Sequence, residues 1–282
     1  MAYLPYAGRS HYHIIGSDST IPNVSSNTAN PVRNWIVHRG RLYGIRDCTS
    51  GWHYSAELIR KDKHGDYATT GLTASRALDN GYPSICIVAG AGARLVLCGD
   101  HYAGVVVIQN KIHVIRVDID RGSIEISDPV VPAVYLCGRW QADLHAAWDA
   151  IRERLHIFAM CYIDGNRVLI DTADANSRMR VPILSVRDVS INAVVCDGIA
   201  YISQSGGINI DVYDIASGMR IPSNLPINVR SAGGSLVTYT RKNGDMLEFV
   251  VNDLRTGDEY VIDTHTERQL SDYMPWTIVS AG

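Results

Sequence analysis

With 282 residues, 46% of them hydrophobic and 20% charged, the chain has ample apolar material for a core and an ordinary globular composition. The formal net charge is −3 and the basic residues are scattered, so no basic stripe offers itself to nucleic acid and no nucleic-acid partner is expected. No stretch approaches about 18 consecutive apolar residues, so no insertion into a membrane is expected.

The N-terminus, MAYLPYAGRSHYH, lacks a basic region followed by an apolar run, so it does not read as a signal peptide. The expected location is the cytoplasm, or assembled into a particle. The six cysteines, Cys48, Cys86, Cys98, Cys137, Cys161 and Cys196, form no C-x-x-C pair and no zinc-ligand spacing. They read as buried free thiols, with no disulfide, no metal and no cofactor expected.

Helical periodicity is nearly absent; the best helical candidate is Gln141–Leu155, QADLHAAWDAIRERL. Elsewhere, short runs rich in Val, Ile and Tyr alternate with Gly, Asn, Asp and Ser, which is an all-β pattern. In chain order, AYLPYAG, HYHIIG and TIP read as three strands, with a turn near Asp18. NWIVHRG, RLYGIRD, WHYSAELIR and YATTG then form a four-strand unit with its last turn at Gly65. The stretch from Tyr82 to Trp140 holds about one strand more than such a unit needs, and carries a turn at Gly122. DAIRER, LHIFAMC, RVLIDTA and RMRVPIL follow, turning at Ser177. INAVVCDG, IAYIS, INIDVYDI and MRIP turn at Gly218, and INVRSAGG, SLVTYT, DMLEFVVNDL and EYVIDTH turn at Gly257.

The turns recur at about 40 to 57 residues, the period of four-stranded propeller blades. The expected fold is therefore all-β: a six-bladed β-propeller of four-stranded antiparallel blades, forming one domain over residues 1–282. The last stretch, Thr277–Gly282 (TIVSAG), reads as the missing first strand of the N-terminal unit. Blade 1 would then be split between 1–33 and 277–282, with the C-terminal strand closing the ring and removing two open edges.

The pattern in AYISQSGGINIDVYDIASG, with Gly206-Gly207 followed by Tyr213 and Asp214, resembles a kelch-type repeat. One unit carries this resemblance. The tryptophan that closes a kelch unit, the aspartate box and a regular WD dipeptide are missing. The resemblance implies a divergent propeller, a fold that serves many functions, so it transfers no activity.

In propellers the loops between second and third strands gather at one face around the channel. Here those loops read YAGRSH, RDCTSGWH, GDHYAG, YIDGN, SQSGG and RKNGD, and carry Arg9, His11, Asp47, Asp164, Lys242 and Asp245. The expected binding residues are Arg46, Trp52, His53, Asp100, His101 and Tyr102, types that suit interface anchors. His11, His53 and His101 fall in successive units and would make a metal site if they converged. Asp47 and Asp100 would make an acid and base if they paired, as in glycosidases. Against these stand solvated loop histidines and aspartates that bond their own turns.

No nucleophile elbow, P-loop or dinucleotide fingerprint is present, and no catalytic residue is assigned. The expected function is a non-enzymatic binding or assembly module, with a protein partner or a larger assembly such as a virion or phage tail. The alternatives are a hydrolase or metal-dependent enzyme of glycosidase or lactonase type with its site at the channel, and a carbohydrate-binding lectin.

Overall fold

The computed structural model describes residues 3–5, 11–14, 20–22, 32–39, 41–50, 52–61, 67–78, 87–88, 95–109, 111–130, 144–163, 166–173, 178–183, 191–204, 210–226, 230–233 and 235–266. These residues form six antiparallel sheets in chain order. The first holds β1 (Tyr3–Pro5), β2 (His11–Ile14) and β3 (Thr20–Pro22). The second holds β4 (Val32–His38), β5 (Arg41–Ser50), β6 (His53–Lys61) and β7 (Tyr67–Ala77).

The third holds β8 (Ile87–Val88), β9 (Val96–Cys98), β10 (His101–Ile108), β11 (Lys111–Asp118) and β12 (Ser123–Ile126). Its extra strand has a simple origin. β8 and β9 pair with different halves of the same edge of β10, at Val106–Val107 and His101–Ala103. The first-strand position is thus shared by two short segments.

The fourth sheet comprises β13 (Leu144–Asp149), β14 (Arg154–Ile163), β15 (Asn166–Asp171) and β16 (Val181–Pro182). The fifth comprises β17 (Ile191–Cys196), β18 (Ile199–Gln204), β19 (Asp211–Asp214) and β20 (Arg220–Ile221). The sixth comprises β21 (Arg230–Gly233), β22 (Leu236–Asn243), β23 (Met246–Asp253) and β24 (Glu259–Thr266). Each four-stranded sheet is a simple meander. The first strands of successive sheets touch, β9 with β13, β13 with β17 and β17 with β21. Sheets packed face to face in chain order about their first strands are a β-propeller. The expected closing strand, 277–282, falls outside the described residues.

The best helical candidate, Gln141–Leu155, is strand and turn over its described part, 144–155. Leu144–Asp149 is β13, Ala150–Glu153 is its turn and Arg154 opens β14, so the unit's first strand precedes DAIRER. The run lacks polar alternation because β13 is covered on both faces. Ala146 packs toward the third sheet and Ala147 toward the fifth. The same holds for β10, where Val106 and Ile108 face the second sheet while Val105 and Val107 face the fourth. The core therefore lies in seams between sheets, each large side chain there adding about 1.5–3 kcal/mol by burial. Tyr54 and Tyr102 fill the seam of sheets two and three, and Phe158 that of sheets four and five.

Three of the third-to-fourth turns, those of the third, fifth and sixth sheets, share one device. Asp118, Asp214 and Asp253 each stand four residues before a glycine of positive φ, Gly122, Gly218 and Gly257. Each carboxylate accepts an N–H of its own turn, from Arg121 (2.8 Å), Ser217 (2.7 Å) and Arg255 (3.0 Å).

Candidate interaction surfaces at the two ends of the sheets

In a meander the turn joining strands one and two and that joining strands three and four lie at one end, here called lower. The turn joining strands two and three lies at the other, upper end. The β5–β6 hairpin places Trp52 at its upper tip. Its indole is 62% exposed, while the backbone is pinned by Leu78 N–H donating to the Trp52 carbonyl at 2.7 Å. His53, exposed, opens β6 beside it.

Arg46 lies lower on the same hairpin, directly opposite Glu57. Its guanidinium donates to the Glu57 carboxylate, which also accepts from the Thr69 hydroxyl. Burial raises the Glu57 pKa, but the bonds from Thr69 and Arg46 outweigh it and hold the carboxyl below its ordinary value. Arg46 is thereby committed to its own sheet. Lys242 and Asp245 belong to the tip region of the β22–β23 hairpin, also upper. Arg9 and Asp164 lie outside the described residues, and His11 opens β2.

Asp100, His101 and Tyr102 are placed elsewhere. Gly99-Asp100 joins β9 to β10, a first-to-second turn, so these residues belong to the lower end and not with Trp52. The residues before Gly51 likewise belong to strand β5 and not to a loop. His38, which pairs with Arg41 at the foot of β5, touches Tyr102. His53 stands beyond the far end of β5, and ten residues at roughly 3.3 Å each set the two ends about 30 Å apart. His53 and His101 therefore do not share a metal ion. Among the described residues no three His, Cys, Asp or Glu side chains gather in a ligand set. Asp47 lies six residues up β5, about 20 Å from the lower end, too far from Asp100 for the roughly 5–9.5 Å spacing of a glycosidase pair.

Tyr102 takes the other role open to a large aromatic, that of a wedge between sheets. It is 1% exposed, packed edge-on against His38 at 5.9 Å, with its hydroxyl 3.2 Å from His38 Nδ1. A large ring on a strand covered from both sides becomes core, so it offers no contact to a partner.

The lower end carries a charge network not anticipated from the loops. Asp120 accepts from His38 Nε2 (3.0 Å) and Arg39 (2.9 Å), joining sheets two and three. Asp100 accepts from His101 (3.1 Å) and pairs with Arg121 (3.3 Å), and the His101 bond leads in holding its carboxyl low. Arg152 donates to Asp197 (3.0 Å) between sheets four and five. The signal in the sequence is an aspartate within two residues of a turn glycine: Asp100 after Gly99, Asp120 before Gly122 and Asp197 before Gly198. Deeper in the same seam, His156 Nδ1 donates to Asp171 at 2.7 Å, both side chains being buried. This pair has the form of an acid–base dyad without a route to solvent.

Among the described residues every carboxylate with a displaced pKa is displaced downward: Glu57, Asp100, Asp214, Glu248, Asp253 and Glu259. Cys98, by contrast, is pushed up to about 12 by burial and is inert as a nucleophile at neutral pH. Cys98, Cys161 and Cys196 are buried. No helix among the described residues is long and apolar enough to cross a membrane.

No family model matches the chain, and no curated protein matches it. Among solved structures it is similar to one of the nidogen/laminin complex, at 12% identity over 99% of this chain and 97% of that one, with a TM-score of 0.43. It is similar to a protein from Lactobacillus plantarum at 12% identity over 98% and 87% of the two chains, with a TM-score of 0.47. It is also similar to TolB from Acinetobacter baumannii at 10% identity over 94% and 64%, with a TM-score of 0.40. The propeller architecture rests on the sheets themselves.

Proposed function

We propose that the chain is a non-enzymatic binding and assembly module that engages a protein surface through its upper end, with Trp52 as the anchor. The observation that carries this is the exposed indole on a backbone whose carbonyl is held by the Leu78 N–H. A rigid aromatic loses little conformational freedom on binding and supplies much apolar area, which makes tryptophan a frequent hot spot. His53 is the adjacent contact. Arg46 acts by stiffening the hairpin through Glu57, and Asp100 with His101 belongs to a separate, lower surface.

The downward displacement of the carboxylates speaks for the same reading. A glycosidase-type acid needs a carboxyl held protonated near neutral pH, and burial with few donors achieves that. Here hydroxyl and N–H donors, with salt bridges beside them, do the opposite. The setting we propose is a larger assembly, such as a virion or phage tail, built with further copies of the chain or with other proteins. A specific contact there would bury over about 1,000 Å².

The test is sedimentation of the chain over a range of concentrations, with Trp52→Ala alongside. Self-association that weakens by about tenfold or more in the variant, with the melting temperature unchanged, is the expected result. Association identical in both proteins, or turnover of a lactone or glycoside substrate by the chain, overturns the reading. Binding of wild-type chain to a glycan array, lost in Trp52→Ala, would move the function to carbohydrate recognition.

A further inference from the structure

The β22–β23 hairpin turns through Gly244-Asp245, with Asn243 and Met246 as its last cross-strand pair. Gly244 has φ +60, and Asp245 is not among the residues of positive φ. That is the turn with glycine at its first central position. Asn243 and Gly244 are both exposed, and a Cβ placed on Gly244 would meet nothing within 4 Å. The Asn243 carboxamide donates to Glu248 Oε1 at 2.6 Å. Glu248 accepts in turn from Arg241 Nε at 2.7 Å, and Arg241 Nη1 donates to Glu259 at 2.7 Å. The bond from Asn243 is the leading cause of the lowered Glu248 carboxyl, ahead of Arg241.

We infer that Asn243 is a site of spontaneous modification, where ring closure onto the Gly244 nitrogen converts its carboxamide into aspartate or isoaspartate. Solvent base removes the Gly244 N–H proton, and the nitrogen attacks Cγ of Asn243. The bond from Cγ to the side-chain nitrogen breaks, and that nitrogen takes up a proton and departs as ammonia. Water then opens the five-membered imide at either carbonyl, so the net change is amide plus water to acid plus ammonia, with no redox step. Three features select Asn243. The following residue has no side chain to hinder attack. The turn is open to water, and the carboxamide's partner is a single, partly buried carboxylate. The sequence holds a second Asn-Gly pair, Asn80-Gly81, which lies outside the described residues.

The consequence is electrostatic. The modification replaces a donor to Glu248 by a second carboxylate, so the group that most stabilises the ionised Glu248 becomes one that repels it. Arg241 must then serve three carboxylates, and the hairpin tip loosens. Isoaspartate also adds a backbone atom, which shifts the register beyond the tip.

The experiment ages the full-length chain in mildly alkaline buffer at body temperature and follows tryptic peptides by mass. A one-dalton gain at Asn243, faster than at asparagines not followed by glycine, is expected. Gly244→Ala should slow it markedly. That variant is strained by the positive φ at this position, but its Cβ meets no neighbour and the strain is confined to an exposed turn, so it should still fold. Asn243→Asp, which mimics one product, should raise hydrogen exchange over residues 241–248 while leaving β13–β18 unchanged. No gain at Asn243, or equal rates in wild type and Gly244→Ala, overturns the site. Exchange in Asn243→Asp identical to wild type overturns the coupling to Glu248.

Discussion

Asp149 Oδ2 accepts the backbone N–H of Gly198 at 2.6 Å across the seam between the fourth and fifth sheets. The other oxygen accepts from the N–H groups of Ile151 (3.0 Å), Arg152 (3.2 Å) and Asp197 (3.1 Å). One buried carboxylate thus caps its own turn and fastens it to the next sheet's turn. Asp149→Ala strands these donors together, and a loss of about 3 kcal/mol or more is expected in urea unfolding. Asp149→Asn should cost less, since it keeps one acceptor oxygen but turns an amide N–H toward a donor. An unchanged midpoint in Asp149→Ala would show that water serves these groups equally well.

The turn glycines separate backbone strain from crowding. Gly257 has φ +78 and open space where a Cβ would stand. Gly257→Ala should therefore cost only the conformational term, about 1–2 kcal/mol. Gly218 has φ +73, and its Cβ would stand 2.5 Å from the Arg178 carbonyl oxygen of the neighbouring sheet. Backbone cannot step aside cheaply, so Gly218→Ala should cost clearly more. At Gly198 the obstacle is the Arg152 guanidinium at 2.1 Å, the end of a flexible side chain. Gly198→Ala should fall between the two, losing the exposed Arg152–Asp197 pair. Thermal melts of the three variants check the order, and equal losses would refute it.

Acid should unfold the chain partly through these same turns. The backbone and hydroxyl of Ser217 hold Asp214 below the ordinary aspartate range, and the Ser235 hydroxyl leads in doing so for Asp253. A carboxyl whose pKa is lower folded than unfolded contributes stability above the unfolded value. That contribution is lost as pH falls through the folded value. Stability should therefore decline as pH drops below the ordinary aspartate range, with a shallower slope in Asp214→Asn and Asp253→Asn. Parallel slopes in wild type and both variants would remove these turns from the acid transition.

The strand order was legible because the turns are chemically marked: Gly122, Gly218 and Gly257 recur at a blade-like interval, and the runs between them are rich in Val and Ile. Where the marks are weaker the reading slipped. Leu144–Asp149 has alanine and tryptophan where a half-buried strand would alternate, because sheets cover both of its faces, and it imitated a helix. The sites were less legible still. Gly99-Asp100 reads like any other glycine turn, and only the pairing of β9 with β10 reveals that it sits at the lower end. Whether a tyrosine beside such a turn is contact or core depends on the neighbouring sheet, and no local signal distinguishes Tyr102 from Trp52.

The pair His38 and Tyr102 gives the sharpest measure of that difference. Asp120 accepts from His38 Nε2, so in the neutral ring Nδ1 is the acceptor and the Tyr102 hydroxyl donates to it. This chain of bonds crosses the seam between sheets two and three at its lower end. Tyr102→Ala empties a space in a closely packed seam and should cost about 3–5 kcal/mol. Tyr102→Phe keeps the ring and removes only the hydroxyl, so its effect should depend on His38. A double-mutant cycle of Tyr102→Phe with His38→Phe should show a coupling of about 1 kcal/mol, lost when both are changed. Trp52→Ala, at the far end of the same sheet, should leave unfolding unchanged and be additive with either. A coupling near zero between His38 and Tyr102 would mean that packing alone, without the polar chain, holds that seam.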